Sequence, residues 1–228
     1  IGSQLILGAL RPEILEWSIK NQFWGRKIAY ELPYPVEPAS LIVLDASNPD
    51  KPVRRGTYQI EAGPDEPHTI WNGVSSGKYF YLIDEFKNKL LIFDISDSTN
   101  PRLVNQIARQ APGDWRAISH HANHLYVTDD AYGFQIFSLQ NPTQPSLVGQ
   151  APTAAEGRYA WVNDEQTSAY ILESNGGTRI HVIDVRDKSK PTRRGFYWDG
   201  THGSYYTQFM GRGNYLYVPG TNFNRSTS

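Results

Sequence analysis

The chain has 228 residues, 39% of them apolar and 13% aromatic, enough to bury a sizeable core as one domain or one array of small repeats, which excludes a disordered chain. Twenty-two basic residues against twenty-three acidic ones leave a formal charge of -1, so no global field draws it to nucleic acid or to an anionic bilayer. Cysteine is absent, which removes disulfides, thiolate metal sites and cysteine nucleophiles, and the longest apolar runs, "YFYLI" and "LLIF", are too short for a transmembrane segment.

In chain order, residues 1–20 carry an apolar "LIL" and then "PEILEWSI". Residues 21–60 lead into "LIVLDASNPDKPVRRG", residues 61–107 into "LLIFDISDSTNPRLVNQ", residues 108–150 into "FQIFSLQNPTQPSLVG" and residues 151–197 into "IHVIDVRDKSKPTRRG". Residues 198–228 hold "HGSYYTQF" and "NYLYVPG" and lack the two segments that close the other copies. Aligned after the apolar run, Asp45, Asp94, Ser138 and Asp184 fall in register at spacings of 49, 44 and 46. Seven residues on, every copy has proline (Pro52, Pro101, Pro145, Pro191), and eleven on come Gly56, Asn105, Gly149 and Gly195. Self-similarity at a fixed period of about 45 residues marks an array of equivalent units.

Each position predicts a mechanical role. The runs "LIVL", "LLIF" and "HVI" are apolar on consecutive positions, as strands covered on both faces are. The Asp/Ser that follows is a turn acceptor for an amide two residues on. Proline lacks an N–H, so the strand it opens is expected at the outer edge of its sheet. The Gly/Asn position predicts a backbone site of positive φ and a bulge that blunts that edge.

Turn signals at "VSSGK", "FKNK", "AYG" and "SNGGT" divide each unit into four strands, A to D: "HTIWN", "KYFYLID", "KLLIFD" and "PRLVNQI" in the best-marked copy. No helical period is visible, and four-stranded units at this period predict the blades of a β-propeller. "LIL" and "PEILEWSI" resemble strands C and D, so residues 1–20 are expected to complete the half blade at the other end, closing a five-bladed ring through a composite blade. The alternative is a fragment of a larger propeller.

The segments "LIVLDASNPDKP", "LLIFDISDSTNP" and "IHVIDVRDKSKP", with "FQIFSLQNPTQP" departing at Ser138, resemble the LVIVD-repeat proteins over roughly residues 40 to 220. That resemblance implies a β-propeller of the kind common in secreted or surface-attached proteins, and brings no shared catalytic motif. It places the chain outside the cytoplasm: extracellular, on the cell surface or periplasmic.

In a propeller the A strands line the central channel, so binding groups are sought there and in the loops before them. Those segments are rich in His, Arg, Trp and Tyr, and His68, Trp71, Trp115, Arg116, Arg158, Tyr159, Trp161, His202 and Tyr205 are the candidates expected to converge near the axis. An aromatic and partly basic mouth suits a glycan or a protein partner anchored by such residues, although any single aromatic among them could instead pack between blades. Glu66, Asp114 and Glu156 are the acids an enzyme would need facing one another across the axis. Of the six histidines, His120, His121 and His124 in "HHANH" are expected to diverge at a turn, His181 to satisfy a core hydrogen bond, and only His68 and His202 to meet in the channel, too few for a metal centre. Asp84, Asp129 and Glu173 recur by symmetry and read as strand ends. Calcium is the one cofactor such turns suit, since it takes carboxylate oxygens. Gly211 and Gly213 read as hairpin-turn residues. The function expected is a non-enzymatic recognition or assembly module; the alternatives are a carbohydrate-binding or carbohydrate-cleaving propeller and a self-assembling subunit with apolar or tyrosine-rich outer strands.

Overall fold

The computed structural model describes residues 4–8, 39–61, 70–84, 87–109, 113–153, 157–173, 179–198, 204–205, 209–219 and 221–222. Every regular element among them is a strand. Three antiparallel four-stranded sheets follow one another: β4 to β7 (Ile70–Ser76, Tyr79–Asp84, Lys89–Asp94, Arg102–Ala108), β8 to β11 (Trp115–His121, His124–Asp129, Gly133–Ser138, Ser146–Ala151) and β12 to β15 (Gly157–Val162, Ser168–Glu173, Arg179–Asp184, Thr192–Trp198). Within each the spatial order is the chain order, as short hairpins dictate. Before them lies a three-stranded sheet of β1 (Gln4–Gly8), β2 (Ser40–Asp45) and β3 (Val53–Gln59), and after them a hairpin pairing β16 (Ser204–Tyr205) with β19 (Thr221–Asn222) and β17 (Met210–Arg212) with β18 (Tyr215–Tyr217).

The core lies between sheets. One cluster joins Tyr81, Ile83, Leu90 and Ile92 of the first four-stranded sheet to Ile118, Leu125, Val127 and Phe137 of the second. Another joins Tyr126, Phe134 and Ile136 of the second to Ala160, Val162, Ala169 and Ile171 of the third. Leu41 packs on Phe80, Leu82, Leu91 and Phe93 at the seam before these, and Leu172 and Ile180 on Phe209 at the seam after them. Consecutive sheets therefore stack face to face. Inner strands β4, β8 and β12 lie side by side, while no comparable contact joins the outer strands β7, β11 and β15. Sheets that touch at their inner edges and part at their outer ones fan about an axis: the units are propeller blades.

The turn after each C strand is built as its sequence requires. The amides of Ser47, Ser96, Gln140 and Arg186 donate to the side-chain oxygens of Asp45, Asp94, Ser138 and Asp184 over 2.9, 2.9, 3.3 and 3.1 Å. A second acceptor three residues on repeats the device: Asn48, Asp97, Asn141 and Asp187 receive the amides of Asp50, Thr99, Thr143 and Ser189. Proline then opens the D strand, which is the outer and most exposed strand of its blade. The Ser47 amide, and the Arg55 side chain after it, hold the Asp45 carboxyl at about 2, below its ordinary 3.8. A depressed folded-state value means the carboxylate's contribution is complete above the ordinary carboxylate range and is lost as pH falls toward 2. We expect Asp45→Asn to lower the melting temperature at pH 7, where the carboxylate's contribution is complete, and the difference from the wild type, read by circular dichroism, to shrink as pH falls from about 4.5 toward 2.

Two expectations need correction. The bulge falls beside the Gly/Asn position: register shifts at Val43/Leu44, Ile92/Phe93, Ile136/Phe137 and Val182/Ile183 leave Arg55, Val104, Val148 and Arg194, each one residue before it, as the extra residues. Positive φ is not the reason, because Gly56, Asn105, Gly149 and Gly195 all lack it. Close approach is: a Cβ on Gly56 would stand 2.5 Å from the Ser98 carbonyl oxygen, one on Gly149 would overlap the Lys188 carbonyl oxygen, and Asn105 Nδ2 instead donates to the Thr143 carbonyl over 2.7 Å. In these three copies the bulge seats the turn of the next blade. The second correction concerns the N-terminus: among the described residues β1 pairs with β2, Leu5 opposite Leu44 and Leu7 opposite Ile42, and not with the C-terminal hairpin. A short run of consecutive apolar residues such as "LIL" does not specify which open edge it joins, and β2, with Leu41 and Val43 buried, offers such an edge. The expected inner strand of residues 21–38, and the "PEILEWSI" segment, lie outside the described residues.

Among outer strands, β15 exposes Phe196, Tyr197 and Trp198, and the C-terminal hairpin exposes Met210, Tyr215 and Tyr217. No helix among the described residues is long and apolar enough to cross a membrane.

Candidate functional site

Each A strand of the three four-stranded blades starts with a bulge. Register shifts fall between Ile70 and Asn72, between Trp115 and Ala117, and between Gly157 and Tyr159, so the extra residues are Trp71, Arg116 and Arg158. These three are structurally equivalent, at the end of the blades where the loops into strand A and the B–C turns emerge. A bulge turns one side chain out of the ladder's alternation, and bulges are concentrated where a side chain must be aimed.

Arg116 sits between two carboxylates, 3.3 Å from Asp114 Oδ2 and 3.2 Å from Asp130 Oδ2, with 21% of its side chain exposed. Asp114 Oδ1 accepts from Asn88 Nδ2 of the preceding blade over 2.9 Å, so the B–C turn of one blade is tied to the first strand of the next. Asp130 Oδ1 also accepts from the Asp114 amide. Arg158 is exposed in the following blade. The site is thus a row of bulged positions, two of them carrying guanidinium groups, with paired carboxylates beside one.

Beneath this surface the three B-strand ends are buried acids. Asp129 takes Arg109 through two hydrogen bonds of 2.6 and 2.8 Å and the amides of Ala131 and Tyr132 over 2.9 and 2.8 Å. The Arg109 and Asp129 side chains are 3% and 0% exposed. Asp84 accepts from the Lys87 amide over 3.2 Å. Glu173 meets His181 Nε2, with Arg179 at 3.7 Å, so His181 has the core partner its position predicts. Their recurrence does mark strand ends: Asp129 is paired with an arginine of the preceding blade, Asp84 caps its own turn, and Glu173 meets His181 through one oxygen while the other has no hydrogen-bond partner among the described residues.

The aromatic candidates are placed differently from the guanidinium ones. Trp115 is core: 4% exposed, its indole N–H donating to Gln135 Oε1 over 2.9 Å, its ring edge-on to Phe137. Tyr159 packs edge-on against Phe209, and Trp161 tilts against Tyr170 while covering Gly211, where a Cβ would overlap the indole. Both fill the seam to the C-terminal hairpin. Gly211 is therefore a close-approach residue, whereas Gly213, at φ 56, does make the turn. Trp71 and Tyr205 lie in β4 and β16. His68, His202, Glu66 and Glu156 lie outside the described residues. No group of three or more His, Asp or Glu side chains able to hold a metal ion occurs among the described residues, and the turn acids accept amides and Arg55 or Arg186 instead.

The histidines of "HHANH" do not all diverge. His121 and His124 stand opposite each other across a two-residue turn, with Ala122 at φ 49, and share one face; His120 points the other way.

The model of the LVIVD repeat matches residues 36–60, 73–108 and 112–153. The chain carries LVIVD repeats over these residues. Its third matched stretch contains Arg116 and the hairpin of His121 and His124, so both features sit within a repeat. No curated protein matches the sequence. Solved structures that resemble the LVIVD-repeat chain include a candidate 6-phosphogluconolactonase of Bacteroides uniformis, with a TM-score of 0.65 at 16% identity over 78% of this chain. The periplasmic gluconolactonase of Pseudomonas aeruginosa gives 0.64 at 12% identity over 80%, and a protein of Lactobacillus plantarum 0.56 at 16% over 69%. Identities this low speak to the fold alone. The chain spans 57%, 57% and 48% of the lengths of these three proteins, in that order.

Proposed function

We propose that this LVIVD-repeat propeller is a recognition module that binds a small hydroxyl- or carboxylate-bearing ligand at the loop end of its A strands. The observation that carries the reading is the row of A-strand bulges, which presents Arg116 and Arg158 at equivalent positions of adjacent blades. A guanidinium and flanking carboxylates supply donors and acceptors to a hydroxylated ligand, and the withdrawal of Trp115, Tyr159 and Trp161 into blade seams shifts the expected contact from stacking to hydrogen bonding. A location outside the cytoplasm belongs to the same proposal and rests on the family resemblance. The blade number belongs to it as well: we take the three-stranded sheet, the three four-stranded sheets and the C-terminal hairpin as five consecutive blade units.

A second reading, cleavage of a sugar lactone, is favoured by the names of two of the similar structures. It needs a carboxylate to activate water, and Asp114 and Asp130 flank the bulge. Calorimetric titration with gluconate and glucono-lactone, run beside a pH-stat assay of lactone opening, separates these readings. Recognition predicts saturable binding without turnover, weakened about tenfold or more by Arg116→Met. Turnover abolished by Asp114→Asn establishes the enzyme. Neither binding nor turnover, with self-association in sedimentation, overturns both in favour of an assembling subunit.

A further inference from the structure

At the opposite end of the blades, the seam between the second and third four-stranded blades is unlike the seam before it. On the face of the β8–β9 hairpin that turns toward β12 and β13, four buried side-chain atoms have no partner among the described residues: Ser119 Oγ, His121 Nδ1, His124 Nδ1 and Tyr126 Oη. They form two opposed pairs, Ser119 with Tyr126 and His121 with His124, two residues apart along one face. Tyr126 is 0% exposed, and the side chains of His121 and His124 are partly exposed beside the turn, where the seam opens.

The preceding seam shows what the repeat does when it needs no ligand. Its equivalent residues are Val74 and Tyr81 in one pair, Ser76 and Tyr79 in the other. Val74 and Tyr79 pack on the apolar cluster, and Tyr81 Oη donates to the Pro142 carbonyl of the next blade's turn over 2.9 Å. In the later seam that turn position is Lys188. Its Nζ is tied to the carbonyls of Val185 and Gln166 over 2.7 and 3.2 Å, and its charge reaches His124, whose pKa is pushed down first by burial and then by that charge. Burial lifts the Tyr126 hydroxyl to about 12, so it stays a donor at neutral pH.

We propose that this seam is a binding site for a small oxyanion (phosphate, sulfate or a carboxylate), held by the hydroxyls of Ser119 and Tyr126 and the Nδ1–H groups of His121 and His124 in the field of Lys188. The chemistry of the lining decides the class. Each group can donate a hydrogen bond, the nearby fixed charge is positive and opposes a dication, and with no carboxylate or thiolate in the set the two imidazoles are the only groups of the four suited to ligating one. Several unpaired donors spread over two rows suit a ligand with several acceptor oxygens better than one water, which makes two to four bonds.

The test is titration of the intact chain with inorganic phosphate, sulfate and acetate, followed by the imidazole 15N and 1H signals of His121 and His124. Saturable shifts with at least one of these anions, weakened about tenfold or more in Ser119→Ala/Tyr126→Phe, are expected. Absence of saturation, equal binding by the double variant, or binding of Zn2+ in place of the anions overturns the proposal. Melting in anion-free buffer gives an independent reading. Tyr81→Phe should lower the melting temperature because it strands the Pro142 carbonyl, whereas Tyr126→Phe should leave it unchanged or raise it. Equal losses would mean that the Tyr126 hydroxyl already has a partner, and the site would fall.

Discussion

Arg109→Met is expected to destabilise the protein by about 3–5 kcal/mol. The reason is the partner left behind. Asp129 is fully buried at the end of β9 and organises its turn through the Ala131 and Tyr132 amides, so its charge cannot move to solvent when the guanidinium goes. The pair also joins two blades, since Arg109 follows the outer strand of one and Asp129 ends the second strand of the next. Two controls isolate this mechanism in urea unfolding at pH 7. Arg116→Met removes an arginine from between two partly exposed carboxylates, Asp114 and Asp130, which solvent still reaches, and should cost clearly less than Arg109→Met. Arg109→Met/Asp129→Asn, with no buried charge to strand, should recover part of the loss. A single variant as stable as the wild type would show that the pair is not buried as described.

Gly149→Ala should cost about 1–3 kcal/mol, because the new methyl meets backbone rather than a side chain that can swing aside. Its Cβ would overlap the Lys188 carbonyl oxygen and lie 2.9 Å from Pro191 Cδ, so the whole turn of the next blade would have to retreat. At about 2–4 °C per kcal/mol for a chain of this size, the change is easily read in a melting curve. Gly195→Ala is the internal control. It occupies the same position in its repeat, with nothing among the described residues within 4 Å of the place a methyl group would take, and should be close to neutral. Equal effects at the two positions would assign the glycines a conformational role instead of seating the neighbouring turn.

What can be read from the sequence follows from how few residues can do each job. A turn after a C strand needs a short acceptor, and Asp45, Asp94, Ser138 and Asp184 announce it; an outer strand tolerates proline at its start, and four prolines announce that. The C–D bulge is legible because glycine and asparagine stand beside it, yet its cause is not, since close packing between blades and positive φ recruit the same residues. The A-strand bulges leave no such trace. Trp71, Arg116 and Arg158 share no side-chain chemistry as a set, and only the pairing register shows that they are equivalent. Position in the repeat points the aromatic residues at the channel, but alternation along β8 and β12 sends Trp115, Tyr159 and Trp161 into the seams. Flanking a turn suggests that His121 and His124 diverge; a two-residue turn instead makes its flanking residues an opposed pair.

The central claim is that equivalent segments are blades turned about one axis, and distances between equivalent outer positions test it most directly. Val53, Arg102, Ser146 and Thr192 open successive D strands, are exposed, and can carry cysteine-linked spin labels without interference because the native chain has no cysteine. Labelled two at a time, they should give roughly equal distances between neighbours, with the distance from 53 to 146 well short of the sum of 53 to 102 and 102 to 146, and a single turn angle should account for all of them. If the separations simply add along the series, the units are stacked in a line, and both the row of bulged arginines and the fan of blades that presents it would be contradicted.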